Sequence, residues 1–260
     1  MHAVVFIKQV PQQNSVKITA DKHIDSSGIE PIISLFDEYA LEEALLQVEK
    51  SGGKVTVVTI GGDESVDVLR KALAMGADQA ILVNDPALAD IGSLGAARVA
   101  AGAVKKLGDV DVIFCGKQST DDETAVFGPA LARYLKTPVL SYVYKVHELD
   151  AGAKRVVVDR ALETTVETVE ASLPAVLTTV KDLNQPRYPS LLKIKKAQKA
   201  DIPRWTLADL GLDSASLAPK VTYLDRVPPP PRPKGSVIEG GSAQEKAQKL
   251  VEALIGSQVI

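Results

Sequence analysis

Five apolar runs punctuate the first 146 residues, and a helical pattern fills most of the intervals between them. The runs are His2 to Val10, Lys54 to Ile60, Ala80 to Val83, Asp111 to Cys115 and Pro138 to Val146. They are nearly continuous in Val, Ile, Leu and Ala rather than alternating with polar residues, which is the pattern of strands buried on both faces. A helix is expected over Glu38 to Lys50, with Asp37 as its cap and Leu41, Ala44, Leu45 and Val48 as one apolar stripe. Gly52-Gly53 should end it. Gly61-Gly62-Asp63 reads as a tight turn into a second helix bearing Val66, Leu69, Ala72 and Leu73 and ended by Gly76. Further helices are expected over Leu94 to Lys106 and Thr124 to Leu135. Strand and helix in this rhythm predict an α/β fold, a parallel sheet with helices on both faces, Rossmann-like in build. No internal repeat is visible.

The rhythm changes after residue 146. Arg155 to Asp159, Glu163 to Val169 and Ala175 to Val180 read as extended segments forming a small antiparallel addition at one sheet edge. Between the first strand and first helix, Val16-Lys17-Ile18 and Gly28 suggest a small hairpin. Regular patterning fades beyond Asp182, where Pro186, Pro189 and Pro203 interrupt the chain. Pro228 to Pro231 and Pro233 read as a stiff spacer. Ser242 and Glu245 then fit a capping box for a helix bearing Ala247, Leu250, Val251 and Leu254. An isolated helix of that length is marginal in water, so its stripe is expected to bury against a partner. The division expected is 1–182, a nucleotide-binding domain, and 183–260, an extended C-terminal arm. The formal charge of −3 argues against a nucleic-acid binder. No run of about 18 apolar residues suggests a membrane span. With the first strand starting this close to Met1, no leader is expected ahead of it. With a single cysteine, Cys115, the expectation is a cytoplasmic protein.

Where the fourth run ends, Cys115-Gly116-Lys117-Gln118-Ser119-Thr120-Asp121-Asp122-Glu123 leads to the fourth helix. Ligands of open α/β sheets bind beyond the carboxyl ends of the strands. A glycine-containing loop at a helix N-terminus offers unpaired N–H groups to a phosphate. The segment 116–132 is therefore a candidate nucleotide site, although such a loop is also an ordinary strand-to-helix turn. Asp121, Asp122 and Glu123 suit a helix start but would repel a phosphate, so they either hold ribose hydroxyls or face solvent. Gly61 to Ser65 is only distantly like a pyrophosphatase loop and reads as a turn and helix cap. His2, His23 and His147 have no metal-ligand spacing. On composition alone Leu191-Leu192 reads as a buried pair, and Lys193, Lys195, Lys196 and Lys199 as a solvated face.

Several segments carry a family resemblance. Ile7-Lys8-Gln9-Val10-Pro11 resembles the opening of the electron-transfer flavoprotein β subunit, and Asp37 to Ala44 (DEYALEEA) is similar to its first helix. Arg70 to Asp78 (RKALAMGAD), Gly116-Lys117-Gln118 with Asp121-Asp122, and Asp182 to Leu191 resemble further segments of that family. These matches run in order from residue 3 to about 213. The resemblance implies a carrier without bond-making chemistry of its own. Such a subunit pairs with an electron-transfer flavoprotein α subunit carrying the redox-active FAD, and holds a second adenine nucleotide itself. The β-site contacts carried over are Phe6, Ser34, Leu35, Phe36, Asp37, Ile60, Asp121, Asp122, Glu123, Thr124, Ala125, Val126, Phe127, Gly128, Pro129, Ala130, Leu131 and Ala132.

The second nucleotide is AMP in simple carriers and FAD in electron-bifurcating ones. Bifurcating members share a T-A-Q-x-G-P run. Here Thr124-Ala125-Val126-Phe127-Gly128-Pro129 agrees except at Val126, and the N-x-T-G-Q pattern of AMP carriers is missing, so FAD is favoured. The resemblance also places Phe36 near the α-subunit FAD and makes Leu191 the anchor that docks an acyl-CoA dehydrogenase or similar flavoprotein. Leu192 stands where proline is common. Two rival readings belong to other classes. One is an enzyme hydrolysing or activating an adenine nucleotide, which would need a catalytic base and a true pyrophosphate loop. The other is a nucleotide-binding sensor, which the long arm argues against.

Overall fold

The computed structural model describes the chain apart from residues 13–16, 20, 22, 23, 26, 220, 222, 223, 226, 228, 229, 231 and 233. Val16 of the expected hairpin, His23, and Pro228, Pro229, Pro231 and Pro233 of the spacer lie outside the described residues. The main sheet contains β1 (His2–Phe6), β2 (Lys54–Ile60), β3 (Gln79–Val83), β4 (Val112–Gly116), β5 (Val139–Asp150), β6 (Arg155–Ala161), β7 (Val166–Ser172), β8 (Ala175–Thr179) and β9 (Arg204–Trp205). Their spatial order is β7-β6-β5-β8-β4-β1-β2-β3-β9. From β5 to β9 every neighbouring pair is parallel. β5, β6 and β7 pair antiparallel at the other edge. Two short antiparallel pairs lie outside the sheet, Gln9–Pro11 with Pro31–Ile33 and Lys17–Ile18 with Ile24–Asp25.

Helices cover both faces, as the continuous apolar runs require. Ala3 and Val5 of β1 point to one side, into a core shared with Leu41 and Leu45 of α1 (Leu35–Ser51) and Leu69 of α2 (Val66–Met75). Val4 and Phe6 point to the other, against Ala97, Ala100 and Val104 of α3 (Gly92–Leu107) and Leu131 of α4 (Phe127–Leu135). The alternation of successive strand side chains thus feeds two cores at once. Gly53, which follows α1, has φ +128°, and a Cβ there would fall on the Met1 backbone, so the turn into β2 requires glycine.

The structure departs from the sequence reading in five places. Ala175 to Val180 was expected in the antiparallel addition, but β8 is a central parallel strand between β4 and β5, buried along its whole length. Each of its residues is either apolar or β-branched (Ala-Val-Leu-Thr-Thr), which suits a covered strand, and its position in the chain after two antiparallel strands concealed this. Second, α1 begins at Leu35, so Asp37 lies within its first turn and is buried rather than capping it. Third, α4 begins at Phe127 rather than Thr124, because Glu123 and Ala125 have positive φ (51° and 54°) and a right-handed helix cannot run through them. Fourth, Gly61 to Ser65 turns into α2 with Ser65 at the N-cap position as expected, but no side chain there makes the capping bond, and Asp63 bonds to Asn84 and Arg204. Fifth, Leu191 and Leu192 are each 78% exposed, not a buried pair.

Beyond residue 182 the chain stays on the domain for some distance. Asn184 donates to the Tyr39 carbonyl and to Glu43. Arg187 forks onto Glu42, which is buried, and also reaches Glu49. Ser190 caps α5 (Leu191–Gln198), and Arg70 of α2 donates to the carbonyls of Ala197 and Gln198 at its far end. β9 extends the sheet beside β3, and Leu207 and Leu217 enter the core. α6 (Ala243–Gly256) has Glu245 N–H donating to the Ser242 hydroxyl, one half of the expected capping box. Leu250, Val251 and Ile255 on it are about half exposed.

Candidate functional site

A cleft of about 260 Å³ opens at the carboxyl ends of β1, β2 and β4, beside the N-terminus of α3. This is where an open parallel sheet leaves its strand ends and helix N-termini facing one space. Phe6 and Phe127 meet edge to face in its floor, with ring centroids 5.6 Å apart. Ile60, Leu88, Ile91 and Ala96 add apolar lining. Lys8, Asp37, Asp90, Ser93, Gln118, Ser119 and Asp122 supply polar lining.

The β4–α4 loop is tied down from several sides. Asp37 accepts the amide of Lys8 at 2.8 Å and the amide of Gly116 at 2.7 Å, joining the ends of β1 and β4 to the start of α1. Burial pushes its carboxyl up to about 7, while the two amide bonds pull the other way. Thr120 N–H donates to Ser34 Oγ at 3.2 Å, and Lys8 Nζ bonds both Asp121 and Asp122. Ser93 Oγ and Thr124 Oγ1, 3.1 Å apart, bridge the N-terminus of α3 to the loop. A Cβ on Gly116 would lie 2.6 Å from Asp37 Oδ1 and 2.6 Å from Phe36 Cβ, so the loop can leave the sheet so close to α1 only as glycine. Cys115 is buried in the cleft wall, and burial raises its thiol far above the range in which a thiolate forms.

Of the residues expected at the site, Phe6, Asp37, Ile60, Asp122, Thr124, Ala125 and Phe127 line the cleft. Ser34 is buried and acts through the bond to Thr120; Asp121 acts through Lys8. Leu35, Glu123, Val126 and Pro129 face outward, and Ala130 is half-buried. Gly128, Leu131 and Ala132 are buried on the core side of α4. Phe36 stands apart from the cleft, its ring 5.1 Å from Lys117 Nζ, which also lies 5.8 Å from the Tyr142 ring. The wall made by Leu88, Asp90, Ile91, Gly92, Ser93 and Ala96 was not anticipated. Asp90-Ile91-Gly92-Ser93 after the third strand was its signal, a glycine and a hydroxyl opening a helix just as in the loop that was singled out. Of the histidines, His2 bonds Thr56 and the Asp109 carbonyl, and His147 pairs with Asp159.

Comparison with known proteins matches residues 22–210 to the electron transfer flavoprotein domain. An electron transfer flavoprotein subunit beta from Thermoanaerobacterium thermosaccharolyticum is 39% identical over the whole of both chains. The chain belongs to the electron transfer flavoprotein β-subunit family. Its work is thus electron transfer, and the resemblance seen in the sequence is confirmed over a longer span than the motifs alone covered. Other family relatives include subunit CarD of a caffeyl-CoA reductase-Etf complex from Acetobacterium woodii, 36% identical over the whole of both chains. Protein FixA of Azotobacter vinelandii is 34% identical over 98% of this chain and 93% of its own. No helix among the described residues is long and apolar enough to cross a membrane.

Proposed function

We propose that this chain is the β subunit of a heterodimeric electron-transfer flavoprotein, working in the cytoplasm and holding an adenine nucleotide in the cleft. The observation that carries this is the cleft itself: an aromatic pair with apolar neighbours and a set of polar side chains at the carboxyl edge of a parallel sheet, within a family of flavoproteins. Its lining fits a planar base at Phe6, Ile60, Leu88 and Phe127 and phosphate and ribose towards Thr124, Ala125 and the polar rim. Among the two nucleotides FAD is favoured over AMP. The small Ala125, with its left-handed backbone, leaves main chain open to the cleft, as a pyrophosphate needs, and the Thr124-Ala125…Gly128-Pro129 run agrees with the bifurcating pattern. A bound flavin supplies the electron carriage; the protein binds, orients and shields it.

The same reading gives the outer parts of the chain their roles. Residues 183–260 supply the recognition loop and the arm that packs on the α subunit, which covers the apolar side of α6. Phe36 lies towards the α-subunit FAD. Leu191 docks a flavoprotein dehydrogenase, an acyl-CoA dehydrogenase or one like it. A relative that is a subunit of a reductase-Etf complex supports a place beside a dehydrogenase. The test is a nucleotide inventory of the complex purified with its α subunit, after acid release. Two FAD per heterodimer are expected. One FAD with one AMP would overturn the choice of nucleotide, and a complex without flavin would overturn the whole reading.

A further inference from the structure

Three acids, Asp37, Asp90 and Asp122, line the cleft, and among its described lining residues Lys8 is the one basic side chain. A fourth acid, Asp121, stands at the rim. Such a lining repels a phosphate unless its charge is answered locally. Lys8 Nζ lies 2.8 Å from Asp121 Oδ2, 2.9 Å from Asp121 Oδ1 and 2.8 Å from Asp122 Oδ2, so its three N–H groups are directed at the two carboxylates. The backbone amide of Lys8 is held by Asp37, and its carbonyl accepts the amide of Ser34. The side chain is therefore mounted on a fixed strand end while its ammonium spans to a loop with two left-handed residues.

We propose that Lys8 is the residue that makes this cleft accept phosphate, by offsetting one of the two negative charges of Asp121 and Asp122 and tying both carboxylates to its ammonium. The inference rests on the adenine-nucleotide reading above and deepens it: Lys8 is a positioning and charge-balancing residue of the phosphate end, not of the base end. Burial works against both charges, yet the mutual bonds outweigh it, raising the Lys8 ammonium and lowering the Asp121 carboxyl, so both stay ionised.

The experiment uses the αβ complex freed of its β-site nucleotide and titrated calorimetrically with ADP, the adenosine diphosphate moiety of FAD, and with adenosine, which has no phosphate. Lys8→Met is expected to weaken ADP by about 10-fold or more and adenosine by no more than about 2-fold, because only the charged ligand meets the uncovered carboxylates. Lys8→Arg should keep ADP within about 3-fold, and Lys8→Met with Asp121→Asn and Asp122→Asn should restore it to a similar degree. Equal losses for the two ligands, no loss for ADP, or a triple variant as weak as Lys8→Met would each overturn the proposal. A parent complex that binds neither ligand would overturn the nucleotide reading beneath it.

Discussion

Asp37 shows how much one buried side chain can organise. It takes an amide from the end of β1 and another from the end of β4, from a place in the first turn of α1. Its carboxyl stands at about 7 in the folded protein against an ordinary 3.8. Between those values the folded state holds a proton that the unfolded state has released, so this group's contribution to stability falls as pH rises across that window. The loss runs at up to ~1.4 kcal/mol per pH unit and levels off above the folded value. Asp37→Asn cannot ionise and forfeits one amide bond. Urea unfolding should find it less stable than the parent at pH 5, with the deficit shrinking by pH 8; a deficit independent of pH would mean that Asp37 is ionised in the native state throughout. In the sequence this aspartate looks like a helix cap, since an acid before an apolar stripe is the usual sign of one. What distinguishes the two roles is the arrival of Lys8 and Gly116 from distant parts of the chain, which local spacing does not record.

At the scale of elements, the segment 184–200 is held at both ends and exposed in the middle. Arg187 and Asn184 fasten it to α1, Arg70 fastens the end of α5 to α2, and Tyr188, Leu191 and Leu192 stand out from the surface between them. Arg187→Gln would leave the buried Glu42 carboxylate without its fork. That should cost roughly 2–4 kcal/mol, somewhat under the range for a fully enclosed pair because Arg187 keeps part of its surface in water. The unfolding midpoint in urea measures it, and faster tryptic cleavage at Lys193 or Lys195 would show the segment released. A variant with the parent's midpoint would make the fork a surface pair of little worth. Most strands and helices here were legible because a covered strand needs continuous apolar residues and a surface helix needs one stripe. The start of α4 was not, since left-handed residues at Glu123 and Ala125 carry no mark when neither is glycine or asparagine. The exposure of Leu191-Leu192 was legible only through the family resemblance, for an apolar pair by itself reads as core.

For the molecule as a whole, most of the parallel sheet and the helices on its two faces are legible in the first 146 residues, while β8, β9 and the extent of the compact part are not. The prolines after Asp182 suggested an early departure, but Leu207 and Leu217 return to the core. A chain ending at Ala218 is expected to melt within about 2 °C of the full chain, because the described residues among those removed are nearly all exposed. The same truncation should no longer retain the α subunit on affinity purification. A large drop in melting temperature would show that the arm folds back on its own chain. The sheet order also bears on how the protein is made. β8 fills the place between β4 and β5, yet it follows β6 and β7 in the chain. A ribosome that has delivered residues 1–172 has delivered both halves of that region but not the strand that joins them. Until Ala175–Thr179 emerges, β4 presents a bare edge of Val112, Ile113 and Phe114, the kind that pairs readily with another nascent chain. From the synthesis of β4 until that of β8, the growing chain therefore carries an uncovered strand edge open to pairing with another chain.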